Sequence, residues 1–170
     1  EKDKGKEHGI AYSARVAYSP ILLNDHLLTI YSSIMYIGTP TFRHSLGSNN
    51  FVQEGKPLGW FKGSDNQEVR IGLNYFNRYN IIASVSSGFS QTGKENIVNR
   101  SYEPFKDYVK ESFPSGQVNE TFYIDTYFSY WLKNYFSFSS GLQWYRDNQN
   151  NRGINPIFII NFFHNFSYNS

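Results

Sequence analysis

The chain has 170 residues, enough for one ordinary domain, and it is rich in aromatic residues (19%) but contains no cysteine. The lack of cysteine excludes a disulfide scaffold and a thiolate metal site. The formal net charge of only +2 gives no indication of a nucleic-acid partner. The mean hydropathy is −0.53, and no apolar run approaches the roughly 20 residues of a membrane-spanning helix.

Alternation of apolar with small or polar residues is the dominant pattern. It predicts β-strands, because successive side chains of a strand point to opposite faces. The predicted strands, in chain order, are 8–18, 27–37, 67–76, 81–91, 120–130, 135–145 and 154–166. The apolar faces of the five clearest strands carry Ile10, Tyr12, Ala14, Val16 and Tyr18; Val69, Ile71, Leu73 and Tyr75; Ile81, Ala83, Val85 and Phe89; Phe122, Ile124, Phe128 and Tyr130; and Phe136, Phe138, Leu142 and Trp144.

Two of the seven strands have a less clear parity. In 27–37 the favoured apolar face holds Leu28, Ile30, Ile34 and Tyr36, although Leu27, Tyr31 and Met35 compete for it. In 154–166 both faces carry apolar residues. Their inward and outward sides are therefore open at this stage.

The spacers between the strands alternate in length. Segments 19–26, 77–80 and 131–134 are short, 38–66 and 92–118 are long, and 146–153 is intermediate and polar. Outer-membrane barrels have short turns at the periplasmic rim and longer loops at the extracellular rim. The spacing therefore predicts an antiparallel, up-and-down transmembrane β-barrel whose long outer loops are about 38–66 and 92–118.

The two faces agree with a barrel. The polar face carries Arg15, Arg70 and Asp125 within strands, which a water-filled lumen accommodates and a packed core does not. Aromatic residues lie near the ends of the apolar face, as in the girdles at membrane interfaces: Tyr18, Tyr36, Tyr75, Phe89, Phe122, Tyr130 and Trp144. The alternative is a soluble all-β sandwich with one solvated face, because alternation does not distinguish lipid from a packed core.

Strand counting predicts that residues 1–170 are the C-terminal part of a larger barrel. Seven is an odd number, and single-chain bacterial barrels have even strand numbers. If the long loops are extracellular, the strand at 8–18 runs towards the periplasm and residue 1 lies on the extracellular side. A complete barrel normally starts in the periplasm instead. We therefore expect further strands before Glu1.

Catalysis finds little support in the sequence. The four histidines, His8, His26, His44 and His164, lack metal-ligand spacing, and there is no G-x-S-x-G elbow or P-loop. We therefore expect no enzymatic activity, cofactor or metal. In the second long loop, Phe105, Tyr108, Val109 and Phe113 have helical spacing between Pro104 and Pro114, which predicts a short amphipathic helix. Such a helix packs over the barrel mouth or plugs the lumen, and the alternative is a loop that covers its own small core.

The first long loop contains the segment 50–68, NFVQEGKPLGWFKGSDNQE. Its glycines and Pro57 permit tight turns: Gly55, Gly59 and Gly63. Its charged groups offer directional hydrogen bonds: Lys56, Lys62 and Asp65. Trp60 and Phe61 offer flat apolar faces, and either sugar binding or anchoring at the membrane interface explains an exposed tryptophan.

Within this segment, Gly55, Lys56, Pro57, Leu58 and Gly59, followed by Gly63, Ser64 and Asp65, form a short motif. The motif resembles a segment of the Wzi-type capsule-assembly outer-membrane proteins, and most of the remaining chain is similar to the C-terminal strands of such barrels. The resemblance implies a large barrel that holds or assembles surface polysaccharide without chemical turnover. Many such barrels end on an aromatic residue. This sequence departs from that pattern, because Ser167, Tyr168, Asn169 and Ser170 follow Phe166, so either the end is atypical or Tyr168 takes that role.

The sequence therefore predicts a non-enzymatic protein of the bacterial outer membrane. We expect it to contact outer-membrane lipid, surface polysaccharide and the rest of its own barrel or other envelope subunits. The predicted polysaccharide contacts are Lys56, Trp60, Lys62, Asp65 and Tyr102, and the predicted lumen residues are Arg15, Arg70 and Asp125. Two alternatives are a porin or transporter with a polar lumen and a soluble, secreted carbohydrate-binding sandwich.

Overall fold

The computed structural model describes residues 9–22, 25–44, 47–77, 79–101, 112–132 and 136–162, and their regular secondary structure is almost all β-strand. One short 3₁₀ helix, Gly47–Asn49, lies in the first long loop. Within the described ranges, no helix has the length and apolar character needed to cross a membrane. The strands are β1 (Ala11–Tyr18), β2 (Ile21–Leu22), β3 (His26–Ile37), β4 (Val52–Gln53), β5 (Lys56–Pro57), β6 (Asn66–Asn77), β7 (Ile81–Thr92), β8 (Asn119–Leu132), β9 (Phe136–Asp147) and β10 (Arg152–Phe162).

Seven of these strands form one antiparallel sheet in the order β1-β3-β6-β7-β8-β9-β10. Each strand pairs with the next long strand along the chain, so the sheet is a meander. The short β2 also pairs with β3, and β4 and β5 form a separate hairpin. In the described residues β1 and β10 are the two edges and do not pair, so the sheet is open.

The seven predicted strands are confirmed, with ends that differ from the predicted ones by a few residues. The register also decides the two uncertain parities. Ile30 pairs with Leu73 and Ile34 with Val69, which confirms the favoured apolar face of β3. Ile154 pairs with Trp144, so this face of β10 continues the apolar face of the sheet.

The sheet is polar on its more buried face and apolar on its more exposed face. Val69, Ile71 and Phe158 of the apolar face are 55%, 60% and 72% exposed. On the opposite face Glu68 and Ser129 are buried, at 6% and 2% exposure. This is the reverse of a water-soluble sheet, whose apolar face packs on a core. The buried apolar side chains among the described residues are Ile37, Ile97 and Tyr123.

Tyrosines cover strand glycines on the polar face. Four tyrosine–glycine pairs are directly opposite in register: Tyr31 and Gly72, Tyr123 and Gly88, Tyr127 and Gly141, and Tyr145 and Gly153. A Cβ added at Gly72 would come within 2.5 Å of the Tyr31 ring, and one at Gly153 within 2.6 Å of the Tyr145 ring. A glycine in a strand often marks such a close approach. Gly72, Gly88 and Gly153 therefore allow these rings to lie across the sheet, whereas at Gly141 the Tyr127 ring leaves 3.8 Å to an added Cβ.

The long connections meet at one end of the strands, as the spacing predicted. Described parts of 38–65 and 93–118 are joined by hydrogen bonds, and the Asn148 amide of the β9–β10 turn donates to the Glu120 carbonyl beside them. We call this end of the sheet the loop-side rim. The predicted helix at 104–114 lies largely outside the described residues.

Candidate functional site

Asp65 joins the two long loops at the loop-side rim. It is fully buried, and its carboxylate accepts hydrogen bonds from Thr39 Oγ1 at 2.9 Å, Ser115 Oγ at 2.5 Å and Ser115 N at 3.1 Å. The amide of Glu95 donates to the same carboxylate at 3.2 Å. Its φ of 54° is in the left-handed region, where Asp is better tolerated than most residues. Asp65 therefore holds three chain segments together.

Further hydrogen bonds lock the loops side by side. Asn96 Nδ2 donates to the Lys62 carbonyl at 2.7 Å, and the Ile97 amide donates to Ser64 Oγ at 3.2 Å. Arg100 forms an ion pair with Glu95, whose side chain is 3% exposed. Because Asn96 and Ile97 are buried, the junction has little access to solvent. The rim is thus a built structure that fixes the segment 60–65.

The segment Trp60–Lys62 lies over the polar face of the sheet. Lys62 forms an ion pair with Glu68 of β6, and its ammonium lies 4.6 Å from the centroid of the Tyr123 ring. Trp60 lines a cavity together with Arg15, Tyr31 and Glu68. Trp60 therefore lies on the side of the sheet opposite the apolar face.

A row of polar side chains continues from Lys62 over four neighbouring strands, with members on β6, β8 and β9. Arg70 Nε lies 3.4 Å from Glu68 Oε1 and donates to the Tyr123 hydroxyl at 2.9 Å. Arg70 Nη2 is 3.9 Å from Asp125 Oδ2, and Asp125 Oδ1 accepts from Gln143 Nε2 at 2.8 Å. Charges on a buried polar face need such partners. We call Lys62, Glu68, Arg70, Asp125 and Gln143 the polar row.

Two cavities open on the polar face beside this row. The first, of about 270 Å³, is lined by groups that include Ser13, Arg15, Tyr31, Ser33, Trp60 and Arg70. The second, of about 300 Å³, is lined by groups that include Phe61, Lys62, Arg70, Tyr123, Gln143 and Tyr145. Both combine aromatic rings with a few polar groups, as ligand sites do. Arg70 lines both.

The indole N–H of Trp60 is a buried donor without an acceptor among the described residues. Buried tryptophan N–H groups usually have a hydrogen-bond partner. Phe61 packs against the indole, with ring centroids 4.8 Å apart and planes at 49°. Trp60 lines the first cavity, but its indole N–H is shielded from solvent and does not open onto that cavity.

The structure brings some of the predicted site residues together and separates others. Trp60 and Arg15 border the first cavity, Lys62 borders the second and Arg70 borders both. The Arg15 guanidinium stacks 4.0 Å above the Tyr31 ring. Asp125 faces the same side through the polar row. These positions are on the face predicted for the lumen.

The remaining predicted residues lie elsewhere. Lys56 is exposed in the β4–β5 hairpin and lines neither cavity, and Asp65 is enclosed by the loops that it joins. Tyr102 lies outside the described residues. Of the three glycines, Gly55 and Gly63 have positive φ values of 73° and 77°, whereas Gly59 is required because a Cβ there would contact the Phe42 ring at 2.5 Å.

Sequence reasoning missed the tyrosines that line the cavities. Tyr31 competes for the apolar face of β3 in the sequence, and Tyr123 and Tyr145 are not among the predicted site residues. Their pairing with strand glycines supplied a readable signal, since a glycine inside a strand indicates that another group approaches closely. Glu68 and Arg70 are two residues apart and therefore share a face.

Asp147 shapes the β9–β10 turn at the same rim. Its carboxylate accepts hydrogen bonds from the Gln149 and Asn151 amides at 2.9 and 2.8 Å and from Asn151 Nδ2 at 2.9 Å. These hydrogen bonds, first among them that of the Asn151 side chain, lower the pKa of the Asp147 carboxyl. The turn is therefore held by an ionised aspartate.

Hydrogen bonding and aromatic contact are the chemistry that this site offers. Within the part of the chain that is described, no group of three or more acidic or histidine side chains could hold a metal ion. Comparison with protein-family models, curated proteins and solved structures finds no match to the chain.

Proposed function

We propose that the chain forms part of the wall of a transmembrane β-barrel in a bacterial outer membrane and binds surface polysaccharide, such as capsule, without catalysis. The reversed polarity of the sheet supports the membrane location. An exposed apolar face costs roughly 25 cal/mol for each Å² left in water, a cost that lipid removes. Polar groups on the opposite face then line the lumen.

The observation that carries the polysaccharide proposal is the combination of aromatic rings and polar side chains along the two cavities, with Trp60 in the first and Lys62 in the second. Sugars offer flat faces for aromatic rings and hydroxyls for polar side chains. Tyr31, Tyr123 and Tyr145 supply further rings and hydroxyls along the two cavities. The resemblance of residues 55–65 to Wzi-type proteins points to the same class of ligand.

Alanine substitution of Trp60 and of Lys62 tests the proposal. We expect each to weaken binding of purified capsular polysaccharide at least fivefold, because a buried aromatic or charged contact contributes roughly 1 kcal/mol or more. In cells, polysaccharide retention at the surface decreases. Trp131→Ala and Lys94→Ala are the matched controls, since Trp131 lies on the polar face near the short turns and Lys94 is exposed.

Membrane insertion must be measured in the same strains, by resistance to carbonate extraction. The polysaccharide proposal is refuted if both variants insert normally and retain as much polysaccharide as the parent chain. The membrane proposal is refuted if the parent chain is extracted without detergent. That second result would favour the soluble carbohydrate-binding alternative.

A porin or transporter is the second candidate, and the polar row favours it because paired charges along a lumen set ion selectivity. Trp60 and Lys62 lie over this face, so we expect them to restrict flow. Conductance in planar bilayers separates the two functions. A large, steady conductance supports the porin, whereas a low conductance supports an occluded binding barrel.

A further inference from the structure

Two arginines lie side by side on the apolar face at the loop-side rim. Arg146, near the end of β9, is directly opposite Arg152, the first residue of β10, and both are exposed. Like charges directly opposite in a sheet are destabilising. The pair therefore costs stability unless another group compensates it.

The described residues offer these arginine side chains little compensation. Arg146 Nη2 donates to Asn150 Oδ1 at 3.1 Å, and the Arg152 side chain has no hydrogen bond or ion pair within the described ranges. The nearby carboxylates are already engaged. Glu120 accepts from Gln91 at 2.8 Å, and Asp147 holds the amides of its turn. Neither guanidinium has a carboxylate within 4 Å in this part of the chain.

Along the apolar face the type of side chain changes from the arginines at the rim towards the sheet centre. The next residues towards the sheet centre are Trp144 and its partner Ile154, and the Trp144 ring contacts Phe122 with centroids 5.9 Å apart. Leu142 and Pro156 follow. Cation, aromatic and aliphatic layers in this order match the headgroup, interface and hydrocarbon zones of a bilayer.

We propose that Arg146 and Arg152 bind the phosphate of an anionic lipid headgroup at the loop-side edge of the bilayer. Arginine suits this ligand because its planar guanidinium donates two parallel hydrogen bonds to phosphate oxygens. One phosphate between the two side chains neutralises their repulsion. This inference rests on the membrane location proposed above.

Trp144 provides the readout, because Trp60 and Trp131 both belong to the polar face. The full chain carrying Trp60→Phe and Trp131→Phe is reconstituted in phosphatidylcholine vesicles containing phosphatidylglycerol. Two samples are compared: in one the phosphatidylcholine carries bromine near the headgroup end of its acyl chains, and in the other the phosphatidylglycerol does. Quenching of Trp144 fluorescence in each sample reports how much of that lipid lies beside Trp144. We expect phosphatidylglycerol to be enriched about fivefold beside Trp144.

Charge variants decide whether the arginines cause the enrichment. Arg146→Gln with Arg152→Gln should abolish it, whereas Arg146→Lys with Arg152→Lys should retain only part of it, because an ammonium keeps the charge but loses the two parallel hydrogen bonds. Lys56→Gln with Lys94→Gln removes the same charge at exposed loop positions and should change nothing. Circular dichroism confirms that each variant keeps its β-structure.

The outcomes separate this inference from the membrane proposal. If brominated phosphatidylcholine does not quench Trp144, the apolar face does not contact lipid and the membrane proposal is refuted. If it quenches without enrichment of phosphatidylglycerol, or if the glutamine pair keeps the enrichment, the headgroup site is refuted. Loss of the enrichment on adding millimolar inorganic phosphate would also overturn it, because the pair would then bind free phosphate.

Discussion

Replacing Asp65 with alanine removes the acceptor that joins the long loops. The buried carboxylate accepts from Thr39 Oγ1, from the hydroxyl and amide of Ser115 and from the amide of Glu95. The hydroxyls can turn to other acceptors, and the Glu95 amide keeps Ser115 Oγ at 3.0 Å. The Ser115 amide has no such second acceptor among its described contacts.

The loss of loop-docking free energy in Asp65→Ala follows from these contacts. Hydrogen bonds to a charged group contribute about 1.5–3 kcal/mol, and a buried donor left unpaired costs about 1–3 kcal/mol. Because one donor is left unpaired and the others are partly satisfied, we expect loop docking to weaken by roughly 3–4 kcal/mol. Each 1.4 kcal/mol is a factor of about ten. The Ser115 amide should then exchange its hydrogen roughly 100- to 1000-fold faster.

Hydrogen exchange followed by mass spectrometry measures this opening. Glu54→Ala is the matched control, because Glu54 also has a positive φ, of 50°, but is exposed in the hairpin turn. Asp65→Asn should give an intermediate effect, since the amide keeps one oxygen acceptor. If Asp65→Ala changes the exchange of Ser115 by less than about threefold, the carboxylate does not hold the loops together.

Two further predictions concern the sheet and the turn. Gly88→Ala should lower the free energy of unfolding by about 1–3 kcal/mol, because the new methyl group overlaps the Tyr123 ring. Gly141→Ala should cost less, since its nearest side-chain atom is at 3.7 Å, and equal losses in urea titrations would contradict the ring-covering role of Gly88. At Asp147 the hydrogen bonds lower the pKa, so the carboxylate stabilises the turn above the ordinary aspartate pKa and loses this effect as pH falls through the lowered pKa. The NMR shifts of the Gln149 and Asn151 amides should therefore titrate below the usual aspartate value, and a midpoint at or above that value would contradict the assignment.

Alternation was the part of the pattern that translated directly into structure. Val69, Ile71 and Leu73 share a face because the side-chain period of a strand is two, whatever the strand packs against. Spacer length likewise predicted which connections share an edge, since an up-and-down meander returns to the same rim at every second turn. Both signals are local, and the structure confirms both.

Parity in β3 needed the neighbouring strand. Leu27, Tyr31 and Met35 alternate as well as Leu28, Ile30 and Ile34 do, so hydrophobicity along this strand does not choose a face. Pairing with β6 chooses it, because Ile34 lies opposite Val69 and Tyr31 opposite Gly72. The glycine then accommodates the tyrosine ring on the polar face.

The segment 55–65 shows most clearly which properties the sequence determines and which depend on tertiary contacts. Its residue types alone indicated turns, aromatic contact and charge, because those properties belong to Gly, Trp and Lys wherever they occur. Only tertiary contacts assign the roles: Asp65 is enclosed by loops distant in sequence, Lys62 pairs with Glu68, and Trp60 lies over the polar face. These partners are brought together by sheet register and loop docking, which no local pattern encodes.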